Sequence, residues 1–441
     1  MRRATSRRPL LALAALATLA LGACVGDGDE LITDVDPTAG PLFDRYVALG
    51  NSITAGYQSG GIVDTLQLRA YPVLLAARAG ADFGVPLLAR PGCPAPFTAP
   101  LTPPVNTPQC ALRQDTNVPP VVQNLAVPGA RLQDLFTLPT NAGQRTLYSL
   151  ITGGRSQVQA MIDAEPTFVS VWIGNNDALL AATGGLLAVG ADSILTRLTS
   201  FQANVTALAD AIEESGAQGA LLIGVVDPVI AAPILQPGAY FYAARDAATG
   251  LFRGKAVNAN CSPVNQLGQP NPLAANLVSF QIVNAAAITE INCDPAAAQA
   301  GGQFLLDAAE ITLVRTRIAQ FNAAIKAAAD ANGWAYVDPN TVLAPFLAQT
   351  GTVGTGAAAI PVYNNLRKCQ ALATAATAAA LQAAVLGSCP VPGPTGAPNF
   401  FGALISFDGV HPSTQAHRVI AGAFAAAINA KYGTELSTAT T

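Results

Sequence analysis

Short apolar runs of strand character alternate with long amphipathic stretches along most of this chain, and that alternation restricts its fold more than any other feature. The runs fall at 45–50 (RYVALG), 124–127 (NLAV), 168–174 (FVSVWIG), 220–228 (ALLIGVVDP) and 334–339 (WAYVDP). The third is dense in β-branched and aromatic residues, as expected of a strand buried on both faces. Between them lie helical patterns. Pro72 sits where a helix can start, before VLLAARAGA. Asp192 to Ser215 carries apolar residues three and four apart and is stopped by Gly216, and Ala309 to Ala331 ends at Asn332-Gly333. Pro412 to Tyr432 closes the pattern as a last helix. Strands joined by crossover helices predict an α/β fold with a parallel sheet covered on both sides.

Three stretches break the rhythm: 91–120, 228–307 and 351–402. Structureless loops of that length are uncommon, and each stretch holds two cysteines, so each is expected to be a stapled insertion. Proximity pairs Cys93 with Cys110, Cys261 with Cys293, and Cys369 with Cys389. The second and third follow strands and should leave from the carboxyl edge of the sheet, where open α/β sheets place their sites. The first follows a helix and is expected at the opposite edge. The aromatic cluster of Tyr240, Phe241, Tyr242 and Phe252 is read as the core of its insertion, with an acyl groove and a sugar-stacking surface as alternatives.

The first residues, MRRATSRR, are basic, and Pro9 to Ala20 is apolar but short for a membrane span. Leu21-Gly22-Ala23-Cys24 resembles the lipobox of bacterial lipoproteins. That resemblance implies cleavage before Cys24 and lipid attached to it, hence export to a bacterial cell envelope and a membrane contact through the anchor. Removal of residues 1–23 takes away four Arg and no acid, and moves the net charge from −4 to −8. An acidic chain with no basic patch argues against a nucleic-acid partner. The expected organisation is a signal at 1–23, an acidic tether at 24–40, one domain at 41–435 with the three insertions, and a disordered tail at 436–441. A monomer is expected. Two histidines and no Cys-x-x-Cys make a metal site a poor expectation, and no cofactor is expected.

The chemistry starts at ALGNSITAGY, residues 48–57. Ser52 follows the first strand directly, and a serine hydroxyl needs a base to act as a nucleophile. His411 lies three residues after Asp408 in FDGVHPST, a spacing that lets the carboxylate take one ring nitrogen and leaves the other for Ser52. His417, one turn into the following helix, reads as a packing residue. An oxyanion needs donors. Gly129 in NLAVPGAR and Asn176 in WIGNNDAL stand after the second and third strands.

Taken in order, Gly50-Asn51-Ser52-Ile53, Gly129, Gly174-Asn175-Asn176-Asp177 and Asp408-Gly409-Val410-His411 resemble the four blocks of the SGNH or GDSL-type serine hydrolases. Asn51 departs from the family's Asp, and Ile53 from its Leu. The resemblance implies a flavodoxin-like three-layer α/β/α sandwich with a five-stranded parallel sheet. It also implies Ser52, His411 and Asp408 as catalytic residues, and Ser52, Gly129 and Asn176 as oxyanion donors. The implied reaction is ester hydrolysis, with an acyl ester as substrate. The alternatives are removal of O-acetyl groups from a glycan at the same site, and a non-catalytic surface-binding lipoprotein.

Overall fold

The computed structural model describes residues 37–99, 101–102, 122–185, 194–245, 252–296, 303–348, 351–353, 360–362, 401 and 404–439, which belong to one compact unit running from Asp36 onward. Its centre is a parallel sheet of four strands: β1 (Tyr46–Gly50), β2 (Phe168–Trp172), β3 (Gly219–Ile223) and β4 (Ala335–Val337), in the order β1-β2-β3-β4. Tyr46 faces Phe168 at one end of the first pair and Gly50 faces Trp172 at the other. The expected strand at 124–127 forms no ladder. It is an extended segment beside β1, with a parallel bridge between Ala48 and Asn124. Backbone bonds of 2.9, 2.9 and 3.2 Å join Ala48 N–H to Gln123, Leu125 N–H to Ala48, and Val127 N–H to Gly50. The pairing ends where β1 ends at Gly50 and the neighbouring segment turns at Gly129, whose φ is +83°.

Alternate residues of each strand enter different cores, as a pleated backbone requires. Val47, Leu49, Val169, Val171, Ala220 and Leu222 meet α5 (Leu198–Glu214) and α6 (Ala308–Ala331) through Ile212 and Phe321. Phe201 of α5 stacks on Phe321 of α6 with ring centres 3.8 Å apart. Tyr46, Phe168, Trp172, Leu221 and Ile223 meet the other pair, α2 (Tyr71–Ala79) and α7 (Thr414–Tyr432), through Leu75, Phe424 and Ile428. Each fully buried side chain of this kind contributes about 1.5–3 kcal/mol. Three shorter helices matter for the site: α1 (Ser52–Ala55), α3 (Gln157–Asp163) and α4 (Asn176–Gly184).

α7 is held in register with the sheet at its far end. The Tyr432 hydroxyl donates to the Ala220 carbonyl (2.7 Å) and accepts from the Ala220 N–H (2.9 Å). Leu436, expected within a loose tail, is buried, and its N–H donates to Asn429 Oδ1 at 2.8 Å.

Within 228–307, the segment Leu277–Ser279 pairs antiparallel with Leu235–Pro237 and Leu305–Leu306. Cys261 and Cys293 are bonded, with Cα atoms 5.1 Å apart. Tyr240, Phe241 and Phe252 are buried there, with Tyr240 and Phe241 against Phe280 and Phe252 against Phe241, so these three are interior to the insertion while Tyr242 is half-buried beneath Arg245. Cys93 is also disulfide-bonded. Its proposed partner Cys110 lies outside the described residues, as do Cys369, Cys389, Cys24 and most of 351–402.

The first insertion corrects an expectation. Its described residues, 91–99 and 101–102, do not sit at the far edge. Pro94 accepts from Ile62 N–H (3.1 Å), Phe97 N–H donates to Ser59 (2.6 Å), and Leu101 N–H donates to Phe407 (2.9 Å). Those partners flank Ser52 and Asp408. The helix-to-loop rule fails because residues 81–90 run back from α2, bonding Gln123 and Asn124 at Gly84 and Asp64 at Leu88, before the insertion begins.

Candidate active site

β1 ends at Gly50 because nothing larger fits. A Cβ there would lie 2.3 Å from Thr54 Oγ1 and 2.7 Å from the Trp172 carbonyl oxygen. Close approach is therefore what requires glycine there. Gln157, fully buried on α3, grips the same residue: its Oε1 accepts from Gly50 N–H (3.0 Å) and its Nε2 donates to Gly50 C=O (2.9 Å). Asn51 then caps α1, with Oδ1 accepting from Ile53 N–H at 3.1 Å. Gly56 ends that single turn with φ +82°, where a Cβ would strike the backbone of Gln67 and Leu66. Ser52 is left as the first residue of a turn at the carboxyl edge of the sheet.

The Gln157 amide is a position that sequence reasoning missed, since a glutamine after a Ser156 cap carries no apolar signal. Removing it leaves the Gly50 N–H buried without a partner, a loss of about 1–3 kcal/mol. Gln157→Leu is expected to lower unfolding free energy by about 2 kcal/mol in urea titration. An unchanged midpoint would mean that the grip carries no stability.

Ser52, His411 and Asp408 come together. His411 Nε2 lies 2.8 Å from Ser52 Oγ, and His411 Nδ1 lies 2.8 Å from Asp408 Oδ2. The carboxylate is fully engaged. Its Oδ1 accepts from the N–H groups of Val410 (2.9 Å) and His411 (2.8 Å) and from the Ser406 hydroxyl (3.2 Å), and its Oδ2 accepts from Gly60 N–H (2.6 Å). Burial alone would push the Asp408 carboxyl up. The His411 charge and these hydrogen bonds outweigh it and hold the group at about 2. An anion at that place favours Nδ1–H on His411 and leaves Nε2 as an acceptor toward Ser52.

Two loops far apart in sequence clasp each other to make this geometry. Ser59 N–H donates to Ser406 Oγ (2.8 Å), Phe407 N–H donates to Ser59 Oγ (3.2 Å), and Gly60 N–H reaches Asp408. The Tyr57 hydroxyl donates to the Gly60 carbonyl, and its ring lies 4.8 Å from the His411 ring, centre to centre. Tyr57, Ser59, Gly60 and Ser406 were not singled out from sequence. Serines and a glycine after a strand read only as turn residues.

His417 is separate from this line. It is fully buried on α7, and its Nδ1 accepts from Tyr71 N–H, the first helical N–H of α2, at 3.2 Å. Burial lowers it to about 3, with the nearby His411 adding to the effect. A neutral ring that caps a helix start is a packing role.

Each residue of Asn175-Asn176-Asp177 pins a neighbouring segment, and the last two share the one at 130–132. Asn175 Oδ1 accepts from Val226 N–H beyond β3 (2.9 Å). Asn176 Nδ2 donates to the Ala130 carbonyl (2.9 Å), next to Gly129. Asp177 accepts from Leu132 N–H (2.9 Å) and the Thr196 hydroxyl (2.7 Å). Burial raises the Asp177 carboxyl to about 6, and those hydrogen bonds only partly offset it. One Asn176 N–H remains for another acceptor, since an amide nitrogen has two. Gly129 itself adopts φ +83° in the turn that Asn176 holds.

A cavity opens at Ser52 and His411 and runs between the end of β2 and α7. It encloses about 980 Å³ of empty space, its open mouth included, and Ile53, Trp172, Val342, Leu343, Ile420 and Phe424 give it hydrocarbon walls. Asn176 and Leu179 stand at its rim. Among the described residues, no group of three or more His, Cys, Asp or Glu side chains is placed to hold a metal ion. Among the described residues, no helix is long and apolar enough to cross a membrane.

Comparison with known proteins gives one family. The model of the GDSL-like lipase/acylhydrolase family matches residues 46–424. No curated protein matches the chain. Among solved structures, the chain is similar to LAE5, an alpha/beta hydrolase enzyme from the metagenome of Lake Arreo, Spain. That pair has 12% identity and a TM-score of 0.34, over 87% of this chain and 93% of that one. It is similar also to a mutant of Axe2, an acetyl-xylooligosaccharide esterase from Geobacillus stearmophilus, at 12% identity and TM-score 0.34, over 89% of this chain and 96% of that one.

Proposed function

This chain belongs to the GDSL-like lipase/acylhydrolase family and is by that membership a hydrolase of esters; we propose that it works as a serine esterase of the lipase type, on acyl esters longer than acetate. The observation that carries the mechanism is the unbroken line from Asp408 through His411 to Ser52, with both links at 2.8 Å. Ser52 Oγ attacks the ester carbonyl while His411 Nε2 takes its proton. Asp408 steadies the imidazolium that forms. The N–H of Ser52, the N–H of Gly129 and the remaining N–H of Asn176 receive the negative oxygen. His411 returns the proton to the departing alcohol, and water releases the acid by the reverse path.

The hydrocarbon cavity beside Ser52 favours an alkyl acyl chain over acetyl, because burying each CH₂ in such a space is worth about 0.8 kcal/mol. For the same reason we favour an esterase over a glycan O-deacetylase. The finer architecture belongs to the same reading. It is a flavodoxin-like arrangement in which the 123–127 segment occupies the place of a fifth strand. Export and lipid attachment at Cys24, with a monomeric domain beyond an acidic tether, rest on the basic start and the Leu21–Cys24 sequence.

The test is a fluorophosphonate, which reacts only with an activated serine. Labelling of the protein, lost in Ser52→Ala, is expected. Equal labelling of both would place the reactive group elsewhere. Aryl esters of two to twelve carbons then rank the chain lengths. A kcat/KM that rises beyond acetate supports the cavity as acyl site, and one that falls restores the deacetylase.

A further inference from the structure

A second cleft lies on the other side of Asn176 and Leu179, the two residues that also edge the hydrocarbon cavity. It is open and holds about 1210 Å³ of empty space, solvent at its mouth included. Its chemistry differs from that of its neighbour. Amides and hydroxyls supply most of its polar groups, among them Gln133, Thr137, Thr140, Asn141, Gln144 and Gln281, interleaved with apolar surface. One cation, Arg131, and one acid, Asp134, lie three residues apart, and the acid accepts the Arg131 backbone N–H at 2.8 Å. Leu138 and Leu180 are 40% and 52% exposed beside these groups. The cleft also reaches the turn at Gly129. Gln144 Nε2 stands where it would come within 2.7 Å of a Cβ on that glycine.

We propose that this cleft receives the alcohol half of the ester, and that the alcohol is a neutral polyol such as a sugar. The proposal rests on the reading of Ser52 as the nucleophile. Side-chain amides and hydroxyls both donate and accept, as ring hydroxyls do, so they pair with neighbouring hydroxyls in either sense. A simple alkyl alcohol would leave them with water. An anionic headgroup would call for an excess of cations, whereas here one cation meets one acid. The exposed leucines suit the C–H faces of such a ring. An ester held at Ser52 therefore spans the rim, with its acyl chain between β2 and α7 and its polyol over Asn176. In the reaction the bond between acyl carbon and polyol oxygen breaks as the bond to Ser52 Oγ forms. The Ser52 proton passes through His411 to the polyol oxygen. Water then takes the acyl group, which gives one fatty acid and one free polyol.

The experiment compares three octanoyl esters, kept below their micelle concentration: a sugar monoester, the ethyl ester and an ester of glycerophosphate. The protein is expected to hydrolyse the sugar ester with a kcat/KM about tenfold above the ethyl ester, the equivalent of one or two good hydrogen bonds. Gln133→Ala combined with Gln281→Ala should bring that ratio down to about two, through KM. Both side chains are exposed, so the fold should tolerate the change. A wild-type ratio near one overturns the proposal while leaving the esterase intact. So does a ratio untouched by the double variant, or a preference for the glycerophosphate ester. Hydrolysis of none of them, together with no fluorophosphonate labelling, removes the esterase reading and the cleft assignment with it.

Discussion

Ser52→Ala is expected to reduce kcat on an aryl ester by about 10⁵-fold, with the folded protein otherwise unchanged. Removing the nucleophile of a serine hydrolase typically costs on the order of 10⁶ in kcat. The smaller figure allows for water attacking in place of the hydroxyl, while the Asn176 amide and the cavity still bind the ester. Ser52 Oγ is bonded to His411 Nε2, and the main chain around it is held by Gly50, Gln157 and Asn51 instead. Stability should therefore stay within about 0.5 kcal/mol of wild type. Retention of more than a hundredth of the activity by a correctly folded variant would show that another group attacks.

Asp408→Asn has the second largest expected effect, and it acts twice. On activity, the amide presents the wrong partner to His411 Nδ1, and the loss should be about 10⁴-fold in kcat. On stability, the sign follows from the carboxyl's low value. Its folded state holds it at about 2, against about 3.9 in an unfolded chain. A depressed carboxylate stabilises the fold above the unfolded value and loses that contribution as pH falls through the folded one. A shift of this size is worth about 2–3 kcal/mol. Urea unfolding should separate wild type from variant by about that amount at pH 7, and the gap should narrow steadily from pH 4 toward pH 2. A gap that stays constant over that range would trace the loss to packing, not charge.

The parallel sheet was legible because its strands are nearly pure apolar runs, and FVSVWIG has no other plausible place than a buried strand. Strand ends were read too long at 173–174, 224–228 and 338–339, where Gly174, Gly224 and the Asp338-Pro339 pair already leave the ladder. NLAV carries the same apolar signal as a true strand. It fails to form a ladder because the turn at Gly129 cuts it short beside a strand of only five residues. Asp408 and His411 could be read as a pair because they share one turn, and Ser52 stood out because it directly follows β1. Gln157 and the Ser59–Gly60 clasp could not be read in this way. Their partners are 107 and 347 or 348 residues away in sequence, and a single glutamine or serine carries no periodic signature of such a bond. The position of the first insertion was missed for a related reason. A connection's starting element tells where it leaves, and only backbone pairing with Ser59, Ile62 and Phe407 tells where it goes.

The clasp between residues 57–62 and 404–411 has a consequence for the order in which the protein is made. Ser52 is among the first parts of the domain to be translated, and His411 is among the last. Until Asp408 and His411 have emerged, the hydroxyl has no imidazole beside it and Gly60 has no carboxylate to hold. On the proposed mechanism, a nascent chain that has not yet reached Asp408 and His411 carries Ser52 in an inert form.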